Sequence, residues 1–176
     1  VMILNVTNLA EDYGIFPLPS SLEPHMPPFV LQPFQNLTEL DTLILSLQGW
    51  TSTNRDFCAK FMNILISLKN LRDLSLISVD NPRMRDAEID IICSKISQFS
   101  SLKYLYLNFQ NNKNITEVGV QALSDSLKKL KNLEEVVLCF RGCIHLTQEI
   151  ALNLKSATAK LKKKELDFSN CPLITL

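Results

Sequence analysis

The chain has 176 residues, 46% of them hydrophobic, which is enough for one domain with a sizeable core. Its 18 basic and 18 acidic residues balance, so no global field marks it for nucleic acid or a membrane surface. No apolar run approaches the ~18 residues that span a bilayer, and the opening Val1–Val6 lacks the basic flank and cleavage site of a signal peptide.

In chain order, the first segment is 1–36, which holds six of the eight prolines: Pro17, Pro19, Pro24, Pro27, Pro28 and Pro33. That density excludes a helix or a central strand. The segment reads as a proline-rich arm, anchored by Phe16, Phe29 and Phe34, that either caps the next unit or docks to a partner. Position 1 is valine, which points to a piece of a longer chain.

From residue 37 a repeat takes over. Three apolar columns recur: Leu40, Leu71, Leu102, Leu133; then Leu43, Leu74, Leu105, Val136; then Leu45, Leu76, Leu107, Leu138. Successive members are 31 residues apart. Each copy reads L-x-x-L-x-L, and its last four residues alternate as a half-buried strand requires. A fifth copy, Glu165 to Cys171, follows after a step of 30. The strands are therefore expected near 43–47, 74–78, 105–109, 136–140 and 166–168.

Between strands lie helical stripes. They are Phe61, Leu65, Leu68; Ile92, Ile96, Phe99; and Leu123, Leu127, Leu130, with Leu154 and Leu161 flanking a weaker Thr158 in the fourth. Helices are expected near 55–69, 86–99, 117–130 and 147–162, with Asp86, Thr116 and Thr147 as their N-terminal caps. A fixed step across strand, loop and helix indicates a solenoid in which neighbours bury each other's apolar faces.

These motifs, with Leu166-x-Phe168-x-x-Cys171 and the starts Ile115-Thr116-x-x-Gly119 and Leu146-Thr147, resemble leucine-rich-repeat proteins of the ribonuclease-inhibitor-like class over residues 37–176. The Asn- and Lys-rich composition suits a protist member of that class. The resemblance implies an open, curved α/β solenoid, with the parallel sheet on the concave side and helices on the convex side. It leaves function open, since such proteins include inhibitors, GTPase activators, ubiquitin-ligase receptors and innate sensors. One departure stands out. The Asn or Cys usual five places after the second column is replaced by Gln48, Val79, Gln110 and Arg141.

On this reading the concave face carries Thr42, Ile44, Ser46; Asp73, Ser75, Ile77; Tyr104, Tyr106, Asn108; Glu135, Val137, Cys139; and Glu165, Asp167, Ser169. Its expected contact patch is Tyr104 and Tyr106, with Asp73, Asn108 and Glu135 around them. The fifth repeat has no helix after it. An apolar flank of Leu154, Leu161, Leu173, Ile174 and Leu176 is therefore expected to be covered by further chain or another subunit.

No catalytic constellation is legible. His25 and His145 belong to no triad or dyad, Glu134 and Glu135 point to opposite faces, and no phosphate-binding glycine motif occurs. The five cysteines (Cys58, Cys93, Cys139, Cys143 and Cys171) are odd in number and mostly sit in apolar patterns, which indicates reduced thiols in a cytoplasmic setting. Cys139 and Cys143, with only His145 near, are too few for a metal site, and no cofactor or small-molecule substrate is implied. Three glycosylation sequons, at Asn5, Asn36 and Asn114, are close to the number chance supplies.

The expected function is a non-catalytic protein-interaction or scaffold module within a larger assembly. The rival is a ribonucleoprotein component that touches RNA through the lysines from Lys128 to Lys164: Lys128, Lys129 and Lys131, then Lys155, Lys160, Lys162, Lys163 and Lys164 along the fourth helix.

Overall fold

The computed structural model describes residues 2–5, 37–47 and 55–175, with side chains placed for 37–47 and 58–175. Among these, six strands form one sheet in chain order, every neighbouring pair parallel. They are β1 (Met2–Asn5), β2 (Thr42–Ser46), β3 (Asp73–Ile77), β4 (Tyr104–Asn108), β5 (Glu135–Cys139) and β6 (Lys163–Asp167). Four helices connect β2 through β6: α1 (Arg55–Leu65), α2 (Asp86–Ile96), α3 (Glu117–Leu127) and α4 (Gln148–Ala157). Each helix packs on the next in sequence.

The columns read from the sequence become physical layers. Leu43, Leu74, Leu105 and Val136 pair side by side, as do Leu45, Leu76, Leu107 and Leu138, and all are buried. The stripe residues Leu65, Ile92, Ile96, Leu123 and Leu127 join the same core. The helices stop three to five residues before expected, at Leu65, Ile96, Leu127 and Ala157. The last apolar member of each stripe, Leu68, Phe99 or Leu130, enters the core from a turn instead, its N–H bonded to the carbonyl of Leu65, Ile96 or Leu127. Thr158 is fully buried, and its hydroxyl donates to the Leu154 carbonyl at 2.8 Å, so it fits the core as a satisfied polar group.

The last repeat corrects the sequence reading. Lys164 pairs with Val136 and Leu166 with Leu138, so the final step is 28 residues, not 30. Leu161 then fills the first column, Lys164 the second and Leu166 the third. Phe168 falls in a further column with Leu47, Ser78, Phe109 and Phe140. The rings of Phe109 and Phe140 lie 5.9 Å apart, and those of Phe140 and Phe168 stack at 5.8 Å. Of the flank expected to be exposed, Leu154 is fully buried, Leu161 and Ile174 are half-buried, and Leu173 is 54% exposed. Leu154, on α4, belongs to the continuous buried core. Leu176 lies outside the described residues.

The turns after the strands supply the ladder that seemed missing. It lies seven places after the second column, at Asn81, Asn112, Cys143 and Cys171, all buried. The Asn112 side chain accepts from the Asn81 N–H at 2.8 Å and donates to the carbonyls of Ser78 and Phe109. The Cys143 thiol donates to the Phe109 carbonyl at 3.2 Å, and the Cys171 thiol to the Phe140 carbonyl at 3.1 Å. Buried backbone groups must be paired, and these short side chains pair them from one repeat to the next. The residue before each ladder position is left-handed: Asp80 (φ 52°), Asn111 (60°), Gly142 (70°) and Asn170 (62°). Asn, Asp and Gly tolerate that region best, which accounts for the composition of the turn.

Of the proline-rich segment only Met2–Asn5 is described; it extends the sheet beside β2, a strand absent from the sequence reading. The remainder of that segment, including His25 and Asn36, lies outside the described residues.

Candidate functional site

Strand alternation sends one set of side chains into the helical layer and leaves the other half-exposed. Across β2 to β6 this open face has three rows. The first is Thr42, Asp73, Tyr104, Glu135 and Lys163; the second Ile44, Ser75, Tyr106, Val137 and Glu165; the third Ser46, Ile77, Asn108, Cys139 and Asp167. In β6 the face therefore carries Lys163, Glu165 and Asp167, and not Glu165, Asp167 and Ser169. The 28-residue step moves each by one position of the row.

The five residues singled out from sequence come together. Asp73 and Glu135 flank Tyr104 on the neighbouring strands, and Tyr106 and Asn108 follow on the same face of β4. The Asn108 amide donates to the Tyr106 hydroxyl oxygen at 3.1 Å, which fixes the outer end of that ring. The Thr42 hydroxyl donates to Asp73 at 3.3 Å, and Lys163 lies 3.6 Å from Glu135. Burial, then Tyr106, Glu135, Glu165 and Asp73, push the Tyr104 phenol above its ordinary pKa. The negative groups therefore converge on one aromatic spot.

The third row ends in a tight polar knot that sequence reasoning missed. Asp167 accepts from the Ser169 N–H at 2.9 Å and its hydroxyl at 2.6 Å, and Arg141 lies 3.3 Å from it. Ser169 and then Arg141 hold the Asp167 carboxyl below its usual range. The Cys139 thiol donates to the same carboxylate at 3.7 Å. Residues far apart in sequence meet here only because of the shortened last step.

The lysine series does not lie along one helix. Only Lys155 lies on α4; Lys160 and Lys162 follow it in a turn, and Lys163 and Lys164 belong to β6. Several are matched by acids: Lys162 and Lys103 both bind Glu134, at 2.6 and 3.2 Å, and Lys128 binds Asp125 at 2.9 Å. Lys162 and then Lys103 hold the Glu134 carboxyl below its ordinary range. With Lys128, Lys162 and Lys163 paired to acids and only Lys155 on α4, the series gives the RNA reading no support.

Among the described residues no group of three His, Cys, Asp or Glu side chains could hold a metal, and no helix is long and apolar enough to cross a membrane. All five cysteines are free thiols.

No protein-family model matches the chain, and no curated protein matches it. Solved structures do. The structure of leiomodin-1 actin-binding site 2 matches with a TM-score of 0.60 at 16% identity, covering 82% of this chain and 81% of that one. The tropomodulin C-terminal domain of Caenorhabditis elegans matches with a TM-score of 0.56 at 14% identity, covering 80% of this chain and 82% of that one. The fold is thus the leucine-rich-repeat-like α/β fold of those domains. Assignment to the ribonuclease-inhibitor-like class, and with it to a protist member of that class, is corrected by these matches. The misreading arose because the L-x-x-L-x-L strand motif belongs to the repeat fold at large.

Proposed function

We propose that this chain is a non-catalytic protein-binding module of the cytoplasm that engages its partner through the open face of the sheet, with Tyr104 and Tyr106 at the centre of contact and Asp73, Asn108 and Glu135 around them. One observation carries this reading: two tyrosines stand on consecutive outward positions of β4, in the middle of an open five-strand surface. Tyrosine supplies large contact area with few rotatable bonds and is enriched at interface hot spots. Helices packed on the opposite face are wider than strands, so the stack curves and the tyrosines lie in its concave side.

The working unit is the repeat array of 37–176. The 1–36 segment is read as its cap, which the position of Met2–Asn5 beside β2 supports. Free, largely buried thiols fit a reducing compartment.

Leiomodin-1's matching region is named as an actin-binding site, which makes actin the first partner to test. Residues 1–176 are titrated against monomeric actin and sedimented with filaments. Binding that weakens by about tenfold or more in Tyr104→Ala/Tyr106→Ala, with the thermal midpoint unchanged, is the expected outcome. Absence of binding to either form removes actin as the partner. Binding insensitive to the double change removes the tyrosine face from that contact.

A further inference from the structure

Resting on the reading of the open face as the partner surface, we propose that this face takes a cationic segment of its partner, with arginine side chains over Tyr104 and Tyr106 and against Asp73 and Glu165. The charges of the face set the sign. Its acids are Asp73, Glu135, Glu165 and Asp167, and its bases are Lys163 and Arg141. Both bases are engaged within it, Lys163 with Glu135 at 3.6 Å and Arg141 with Asp167 at 3.3 Å. Among the described residues no base lies in ion-pair distance of Asp73 or Glu165, and Asp73 accepts from the neutral Thr42 hydroxyl. The face therefore presents two carboxylates without a basic partner among the described residues, on either side of a half-exposed aromatic pair.

Their spacing suits an extended chain. Asp73 lies on β3, the tyrosines on β4 and Glu165 on β6. Four parallel strands place those ends roughly 14 Å apart, the reach of an extended segment of about four residues. Such a segment crossing the strands meets carboxylate, rings and carboxylate in turn. Guanidinium groups stack on tyrosine faces and pair with carboxylates at once, which no neutral or acidic side chain does.

The test uses the labelled 1–176 chain and three synthetic peptides on one Gly/Ser frame, bearing Arg, Gln or Glu at the same positions. Amide shifts are followed by NMR. The arginine peptide alone is expected to shift Asp73–Ile77, Tyr104–Asn108, Glu135–Cys139 and Lys163–Asp167, with an affinity that falls as salt is added. Asp73→Asn/Glu165→Gln should weaken it by about tenfold, as should Tyr104→Ala/Tyr106→Ala. The near-isosteric carboxylate pair decides the matter if the tyrosine variant fails to fold. Equal shifts on this face with the Gln or Glu peptide overturn the cationic partner while leaving the face as a partner surface. An arginine peptide that shifts only residues elsewhere, or none, also overturns the proposal.

Discussion

Asp86 caps the helix of the next repeat. Its Oδ1 accepts from the Thr116 N–H at 2.8 Å, and its Oδ2 accepts the Thr116 hydroxyl at 2.6 Å. The Gly119 N–H adds a third bond to Oδ1 at 3.2 Å. A carboxylate at the α3 N-terminus meets both the open N–H groups and the positive end of the helix dipole. At α2 itself, Glu88 reaches back to accept from the Arg85 N–H at 3.2 Å. Asp86→Ala should therefore cost about 1–2 kcal/mol through α3, one repeat away from the substitution. Urea unfolding checks the size, and hydrogen exchange checks that Glu117–Val120 loses protection first.

Close approach at this junction makes a second prediction. A Cβ at Gly119 would stand 2.6 Å from Asp86 Oδ1 and 3.2 Å from the Asp86 Cα. Alanine is the better helix former by about 1 kcal/mol, but here it pushes on backbone as well as on the cap. Gly119→Ala should destabilise by about 1–3 kcal/mol, read as a lower urea midpoint. A stabilised Gly119→Ala would show that the repeats are packed less tightly than described.

The equivalent threonines of α3 and α4 should respond oppositely to loss of their hydroxyl. Thr116 donates to Asp86 and accepts from the Val118 N–H at 3.3 Å. Thr147 stands one repeat on, where Glu117 occupies the place of Asp86, and its Oγ1 finds no partner among the described residues. A buried hydroxyl without a bond carries an unrecovered desolvation cost. Thr147→Val should be neutral or stabilising, and Thr116→Val should lose about 1 kcal/mol, measured side by side by thermal unfolding.

Alkaline pH should weaken the fold through its thiols. Burial pushes Cys58 and Cys143 from 9.0 up to about 12. The folded state thus keeps protons that the unfolded chain releases. The resulting stabilisation is complete below pH 9 and is lost as pH rises from 9 towards 12. Urea midpoints across that range should fall, and Cys143→Ala should flatten the slope. At neutral pH the half-exposed Cys139 should be the first thiol to react with a disulfide reagent, the others waiting on unfolding.

Much of this architecture was legible because the step holds at 31 residues across Leu43, Leu74, Leu105 and Val136, and Thr42 to Asn108 follow from alternation. The last repeat was not. Leu166-x-Phe168 alternates just as a true second and third column do, and Lys164 hides the second column because β6, at the sheet edge, leaves it exposed. The Asn/Cys ladder stands two places later than the class motif implies, since Phe109, Phe140 and their equivalents add a buried column before the turn. The knot of Cys139, Arg141, Asp167 and Ser169 depends on that shortened step, so no local motif announces it. The strand Met2–Asn5 is too short to carry a period, and it pairs across a gap of 41 positions.

The open sheet face as the partner surface is tested most directly by photocrosslinking. A photoreactive amino acid replaces either Tyr106, on the face, or Leu152, which is 50% exposed on α4. Each protein is irradiated in its partner-bound state, and adducts are mapped by mass spectrometry. Adducts from position 106 with none from position 152 are the predicted result. Adducts from position 152 alone would place the partner on the helices and contradict the account.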